Sequence, residues 1–497
     1  MGANPQTIDS WLANHAIHQP DKIALRFEGE SWSYQALHEW VTRLASGLCH
    51  ELGLERGDRI AFYGHNSASE IALFFAAARL GLIVVPLNWR LAVDELRYIV
   101  SNADAEVVVH GPEFAPEAAE LAEGCSARLI STDHELPHLS AAPAKPLPEA
   151  ALTDPFLIVY TSGTTGRPKG AVLTQEAVLW NVLSSLHAHD FTAEDHVLNV
   201  LPLFHVGGIN IQTMPCFFIG GTVSVHSGFD PGAAVEALRN DGITSSVFVP
   251  TMLQALLARP DWDPQTFPRL RMLTTGSTDV PADLLQTVNG QGVPMVQVYG
   301  ATETGPITSY QRAAEAMATA GSIGRPAAHV RVRLVRSDGA DCGGDEPGEI
   351  WVKGPNIFSH YWAEKEATER AIEDGWFKTG DVAYRDGQGL LWFVGRTKHV
   401  IISGGENIYP AEIERLIARL PGLREAAVVG RPDPRWGEVP VVVAAAEADG
   451  PSRDEILAAC DGQIARYKWP KDVVFVDALP RNALGKVIID DVRKLVR

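Results

Sequence analysis

Strand-like and helix-like segments alternate along most of this chain, and that alternation restricts the fold more than any single motif does. The stretch "GDRIAFYGHNSASEIALFFAAARLGLIVVPLN" (57–88) reads as strand, turn, helix and strand, with Asn66 or Ser67 placed to cap the helix. The pattern returns in "DHVLNVLPLF" (195–204), "PGAAVEALRNDGITSSVFVP" (231–250), "LRMLTTGST" (270–278) and "PMVQVYGAT" (294–302). Short apolar runs separated by helical segments predict an α/β fold on mixed, largely parallel sheets flanked by helices.

Beyond Gly348 the texture changes. "GEIWVKGP" (348–355) and "GLLWFVGR" (389–396) read as antiparallel strands, the second following a "RDGQG" turn. From Thr397 a shorter pattern begins: an amphipathic helix "PAEIERLIARL" (410–420), strands "REAAVVGRPD" (424–433) and "VPVVVAAAEA" (439–448), and a helix "DEILAACDGQIARY" (454–467). This predicts a large domain over 1–396 and a small α+β domain over 397–497. The Pro/Ala-rich stretch 135–150 reads as a surface connection.

With 497 residues the chain can bury a large core, and its 42 Lys+Arg against 61 Asp+Glu give a net charge of −19. Such a balance disfavours nucleic acid or an anionic membrane as the main partner. The cysteines, Cys49, Cys125, Cys216, Cys342 and Cys460, are scattered with no C-x-x-C pair, which fits a reducing cytoplasm. The N-terminal "MGANPQTIDSW" lacks a basic region and an apolar run, so no signal peptide is expected. Gly2 is not followed by Ser or Thr at position 6, where Gln6 stands, which argues against myristoylation. The apolar stretches 71–87 and 206–225 are interrupted by Arg79 and by Asn210, Gln212 and Pro215, and read as buried helices running into strands rather than membrane spans.

The motif "TSGTTGRPKG" (161–170) follows the apolar run "PFLIVY". A strand entering a Gly/Ser/Thr loop is a common cradle for phosphate, but the spacing is not that of G-x-x-x-x-G-K-[ST]. The loop is either a plain turn or a nucleotide cradle of another kind. Its company is more specific. "VYGATETG" (298–305) puts Tyr299, Thr302 and Glu303 at the end of a strand, "WFKTGD" ends in Asp381, "GRTKHVIISGGENIYPAEIE" crosses the expected boundary, and "PRNALGK" places Lys486 near the C-terminus.

These five blocks, in this order and over essentially the whole chain, resemble the adenylate-forming superfamily of acyl-CoA synthetases, peptide-synthetase adenylation domains and luciferases. The resemblance implies formation of an acyl-adenylate from a carboxylate and MgATP, rotation of the small domain, and acyl transfer, usually to coenzyme A. It implies that Thr161, Ser162, Gly163, Thr164, Thr165, Gly166 and Lys169 surround the β- and γ-phosphates. Thr302 would meet the α-phosphate, Glu303 with Thr161 would hold Mg²⁺, Tyr299 would lie along the adenine, and Gly300, Gly276 and Ser277 would bind the nucleotide, Ser277 also bordering the acyl pocket. Asp381 would accept from the ribose hydroxyls beside Arg396. Lys486 would bridge the substrate carboxylate and the α-phosphate, and Lys398 would be the hinge.

By the same resemblance, His205 is a gate and catalytic residue at an acyl pocket lined by Val206, Gly207, Gly208, Thr275 and Gly276. Arg90, Gly404, Gly405, Trp436, Tyr467 and Lys471 would meet coenzyme A. His399 replaces a residue that is often acidic, and Trp469 replaces an arginine of one relative. The expectation is an AMP-forming acid–CoA ligase for a hydrophobic acid, aryl or phenylpropenoic such as ferulate or coumarate, or a medium- to long-chain fatty acid. The alternatives are a stand-alone adenylation enzyme loading a carrier protein and a silent acyl-nucleotide binding protein. A homodimer stays open.

Overall fold

The computed structural model describes residues 7–141, 143–161, 167–276, 280–404, 406–481 and 487–496. Contacts divide the chain into two compact units, Met1–Arg331 with Val352–Phe377, and Val332–Trp351 with Lys378–Arg497.

The first unit holds two sheets among its described residues. One runs in the order Arg325–Pro326, Ser309–Tyr310, Met295–Tyr299, Met272–Thr275, Ser245–Val247, His196–Asn199, Thr222–Val225, Ile23–Phe27 and Glu30–Ser33. It is parallel from Met295–Tyr299 to Ile23–Phe27 and antiparallel at its margins. The other runs His360–Tyr361, Lys169–Thr174, Pro155–Thr161, Ile83–Pro86, Arg59–Tyr63, Val107–His110 and Arg128–Ser131. Its middle is parallel and its first two pairings are antiparallel. The expected mixed, largely parallel α/β organisation is thus present.

The helix Ala68–Leu80 illustrates how local sequence sets an element. Ser67 caps it by accepting from the Glu70 N–H at 3.2 Å, and Gly81 ends it at φ +69°. Asn66 is therefore not the cap. Eleven of the helix's thirteen residues are buried, so its apolar character belongs to a core helix and not to a membrane span. Among the described residues no helix is long and apolar enough to cross a membrane. The second apolar stretch forms a short helical turn at Val206–Gly208, a π-helical turn at Ile209–Thr213, a helix at Met214–Ile219 and a strand at Thr222–Val225.

The second unit carries strands that pair around Trp376–Arg385, with Gly348–Lys353 on one side and Leu391–Arg396 on the other. The two apolar runs expected as antiparallel strands therefore pair with a third strand between them. Further on lie the helix Pro410–Ile417 and a sheet ordered Glu406–Ile408, Ile401–Ser403, Gly437–Ala446 and Leu423–Asp433, with Asp472–Phe475 on Gly437–Ala446. The helix expected over 454–467 is short, Arg453–Ala458, and Gly462 at φ +67° follows it. The division by contacts groups residues 332–351 and 378–396 with the C-terminal residues, and the strands in these two stretches pair with one another.

Candidate active site

Pro155–Thr161 and Lys169–Thr174 are antiparallel, with Thr161 opposite Lys169 and Tyr160 opposite Gly170. A Cβ at Gly170 would sit 2.5 Å from Ile158 Cγ2 and 3.1 Å from the Tyr160 ring, which explains the glycine after the lysine. Ser162, Gly163, Thr164, Thr165 and Gly166 lie outside the described residues. Thr161 Oγ1 lies 3.5 Å from the Lys169 carbonyl, so the register brings two of the expected phosphate residues together.

The second motif starts at the C-terminal end of the interior strand Met295–Tyr299, and the carboxyl ends of strands are where open α/β sheets place ligands. Gly300 is closely approached: a Cβ there would lie 1.7 Å from the Pro306 carbonyl oxygen. Thr302 and Glu303 lie on a 3-10 turn, Thr302–Thr304, closed by the Ala301 N–H donating to Thr304 Oγ1 at 2.8 Å. Thr302 is buried and Glu303 half-buried.

Three asparagines fix this loop from behind. Asn210 Nδ2 donates to the Gly305 carbonyl at 2.9 Å, and Asn181 accepts from the Ile307 N–H at 2.9 Å. Asn356 donates to the Thr304 carbonyl at 2.7 Å. Tyr361 completes the surround: its hydroxyl donates to Glu303 Oε1 at 2.7 Å, while the Phe358 N–H donates to the Glu303 carbonyl at 2.8 Å. Burial, and then the neighbouring Glu303 carboxylate, push the Tyr361 phenol up, so it stays a donor. None of these four residues is marked by spacing in the sequence; only the fold brings them to the loop.

His205 caps the turn Val206–Gly208, its Nδ1 accepting from the Gly207 N–H at 3.0 Å. In the neutral ring the proton is then on Nε2. The segment entering this turn is held by Asn66, which accepts from the Leu203 N–H at 2.8 Å and donates to the Leu201 carbonyl at 2.9 Å. Val206, Gly207, Gly208, Thr275 and Gly276 are all buried. The glycines differ, however. A Cβ at Gly208 would lie 2.3 Å from the Pro202 carbonyl oxygen, and one at Gly276 would lie 2.5 Å from the Val298 carbonyl oxygen. At Gly208 and Gly276 backbone passes too close for a side chain. At Gly207 the nearest atom to a Cβ is His205 Nδ1 at 3.1 Å. Ser277 lies outside the described residues. Arg90 is exposed, its guanidinium 4.8 Å from the Trp89 ring centroid and 5.8 Å from that of Phe204.

In the second unit, Asp381 and Arg396 are register partners on adjacent antiparallel strands, with Arg396 Nε 2.9 Å from Asp381 Oδ1. Asp381 is buried, and the preceding Gly380 has φ +70°. Lys398 and His399 share a 3-10 turn, and Arg493 Nη2 donates to the Lys398 carbonyl at 3.1 Å. Burial first, then Arg396, lowers the Lys398 ammonium's pKa. Burial, Lys398 and Arg396 push His399 down to about 3, so it is neutral at physiological pH. Gly404 and Trp436 are neighbours: the Gly404 N–H donates to the Trp436 carbonyl at 2.7 Å. Trp436 and Tyr467 are unusually exposed for aromatic residues, at 45% and 44%. Lys471 is exposed too. Trp469 is half-buried against the core of the small sheet, its indole donating to the Ile464 carbonyl at 3.1 Å. Gly405 and Lys486 lie outside the described residues.

Among the described residues no group of three or more His, Cys, Asp or Glu stands ready to hold a metal alone. A single hard carboxylate such as Glu303 still fits Mg²⁺, which takes one or two carboxylates together with substrate phosphates.

The first unit carries a carboxylate-bearing turn at a strand end, and the second a buried aspartate paired with an arginine. Residues 12–362 match the family model described as AMP-binding enzyme, and residues 412–486 match that of the AMP-binding enzyme C-terminal domain. The chain belongs to this adenylate-forming family and is an AMP-forming acid–CoA ligase, with ATP, Mg²⁺ and coenzyme A as its cofactors and co-substrates. It is 45% identical to an indoleacetate–CoA ligase of Aromatoleum aromaticum, over 98% of both chains. It is 41% identical to a feruloyl-CoA synthase of an Amycolatopsis species, over 98% of this chain and 99% of that one. Its structure aligns with the O-succinylbenzoate coenzyme A synthetase of Bacillus subtilis, solved with ATP and magnesium ion, at a TM-score of 0.86, 30% identity and 99% coverage of both.

Proposed function

We propose that the acid is an aromatic monocarboxylic acid with a short side chain, of the arylacetic or phenylpropenoic kind. The observation that carries this is identity above 40% along the whole chain with two relatives named for such acids. The chemistry of the chain agrees. The segment 200–219 around His205 contains no Lys, Arg, Asp or Glu, so it offers no fixed charge to pair with a second carboxylate or an amino group.

In this reading Lys169 and Thr161 meet the terminal phosphates, and Glu303 holds Mg²⁺, which neutralises phosphate charge when bound. Thr302 donates toward the α-phosphate, where negative charge develops as the acid attacks. Lys486 orients the two reacting groups, and Asp381 with Arg396 receives the ribose. Gly404, Trp436, Tyr467, Lys471 and Arg90 are assigned to coenzyme A, and Lys398 to the hinge.

The test is a pyrophosphate-release and thioester assay with indoleacetic, phenylacetic, ferulic, coumaric, benzoic and C6–C16 acids. The aromatic acids should give the highest kcat/KM for both products. Preference for C10–C16 acids would replace the aromatic reading with a fatty-acyl one. Release without thioester would point to a carrier-protein acceptor, and no release with any acid to a silent binder.

A further inference from the structure

The turn with Glu303 and the strand with Lys169 are separate in sequence, yet a single side chain touches both. Tyr361 lies on the two-residue strand His360–Tyr361, paired antiparallel with Lys169–Thr174, so that Tyr361 is opposite Ala171. Its position is set from several directions. The Ser359 N–H donates to the Val172 carbonyl at 2.9 Å and the Trp362 N–H to the Gly170 carbonyl at 2.7 Å. The Tyr361 N–H donates to Thr368 Oγ1 at 2.9 Å, and the Phe358 ring packs at 4.7 Å. From this fixed base the hydroxyl reaches Glu303 Oε1 at 2.7 Å, and the ring face receives the Lys169 ammonium at 5.7 Å from its centroid.

We infer that Tyr361 is a positioning residue for adenylate formation, orienting the Glu303 carboxylate toward the metal and seating Lys169 beside it. This rests on the reading of Glu303 as the Mg²⁺ ligand. A carboxylate held at one oxygen by a neutral donor keeps its charge and loses rotational freedom. Partners that orient metal ligands in this way are worth about 10- to 100-fold in metal affinity. The Lys169 contact is a cation–π arrangement, which is sensitive to the ring and not to the hydroxyl.

The experiment titrates Mn²⁺ by electron paramagnetic resonance into the enzyme with α,β-methylene-ATP, comparing wild type, Tyr361→Phe and Glu303→Gln. Tyr361→Phe keeps the ring, its packing and the lysine contact. It should weaken Mn²⁺ binding about 10-fold or more. In turnover assays its KM for ATP should rise at low Mg²⁺ and return toward wild type with excess Mg²⁺, a rescue that a merely structural defect would not give. Unchanged Mn²⁺ affinity in Tyr361→Phe, with affinity lost in Glu303→Gln, would overturn the positioning role alone. Unchanged affinity in Glu303→Gln would overturn the metal assignment, and the positioning role with it.

Discussion

Asn210 Nδ2 donates to the carbonyl of Gly305 at 2.9 Å, tying the π-helical turn after the His205 segment to the turn bearing Glu303. Asn210 is fully buried, and its own carbonyl accepts from Asn181 Nδ2 at 2.7 Å. π-turns inside helices are often found at functional sites. Here one places an amide where it holds the turn bearing Glu303 from inside the core. Asn210→Ala should leave the Gly305 carbonyl without this donor and cost about 1–3 kcal/mol. Denaturant unfolding should read that loss, and KM for MgATP should rise with it. An unchanged unfolding midpoint would mean that the bond adds nothing to holding the turn.

Gly404 has φ +61°, and a Cβ there would lie 2.8 Å from Trp436 Cε3. Gly404→Ala therefore meets left-handed strain of roughly 1–2 kcal/mol and must move the exposed indole. If these two residues meet coenzyme A, thioester formation should suffer while pyrophosphate release is spared. Equal losses in both half-reactions would remove Gly404 and Trp436 from the coenzyme A site.

The parts of the site legible in the sequence are those where the backbone itself is constrained. Gly170, Gly300 and Gly380 mark close approaches or a positive φ, and the strand before Gly300 is apolar enough to read directly. The roles of Tyr361 and Asn210 were not legible because each acts on a residue 58 or 95 positions away, through contacts that local periodicity does not encode. A glycine beside a pocket and a glycine under a neighbouring carbonyl look alike until the Pro202 oxygen is placed. Strand pairing among Arg331–Val335, Gly348–Lys353 and Trp376–Arg385 is likewise long-range and not encoded by local periodicity.

Gly207 and Gly208 should respond oppositely to the same substitution. Gly208→Ala puts a methyl group against the Pro202 carbonyl and should destabilise the enzyme for every acid. Gly207→Ala meets only the edge of the His205 ring, which can shift. It should fold normally and alter the ranking of acids, with the bulkiest losing about 10- to 200-fold in kcat/KM and the smallest little. Thermal unfolding and kcat/KM across the acid panel check both. Uniform losses in Gly207→Ala would assign that glycine to the gate's support and not to the pocket.

Acid lability should come in part from a buried histidine. His189 is fully buried, with Nε2 3.0 Å from Thr274 Oγ1 and Nδ1 3.0 Å from Ser185 Oγ and 2.9 Å from the Ser185 carbonyl. Burial pushes its pKa down to about 4 from an ordinary 6.5, with Arg271 adding to the fall. In the unfolded chain the ring takes up its proton near pH 6.5, and in the folded protein it resists until about 4. Between those values the unfolded state binds more protons, so stability falls as pH falls, by up to roughly 3 kcal/mol for this group. Asp9 works the other way. Its buried carboxyl is raised to about 6 by burial, against the opposing pull of Arg79, so its contribution grows as pH falls from about 6 toward 4. The two slopes oppose each other in the same window, and His189→Gln should leave the Asp9 slope exposed. Relative to wild type, this variant should lose less stability between pH 7 and 4.5 in denaturant titrations. An identical pH profile for the two proteins would show that His189 is not neutral and buried in the folded state.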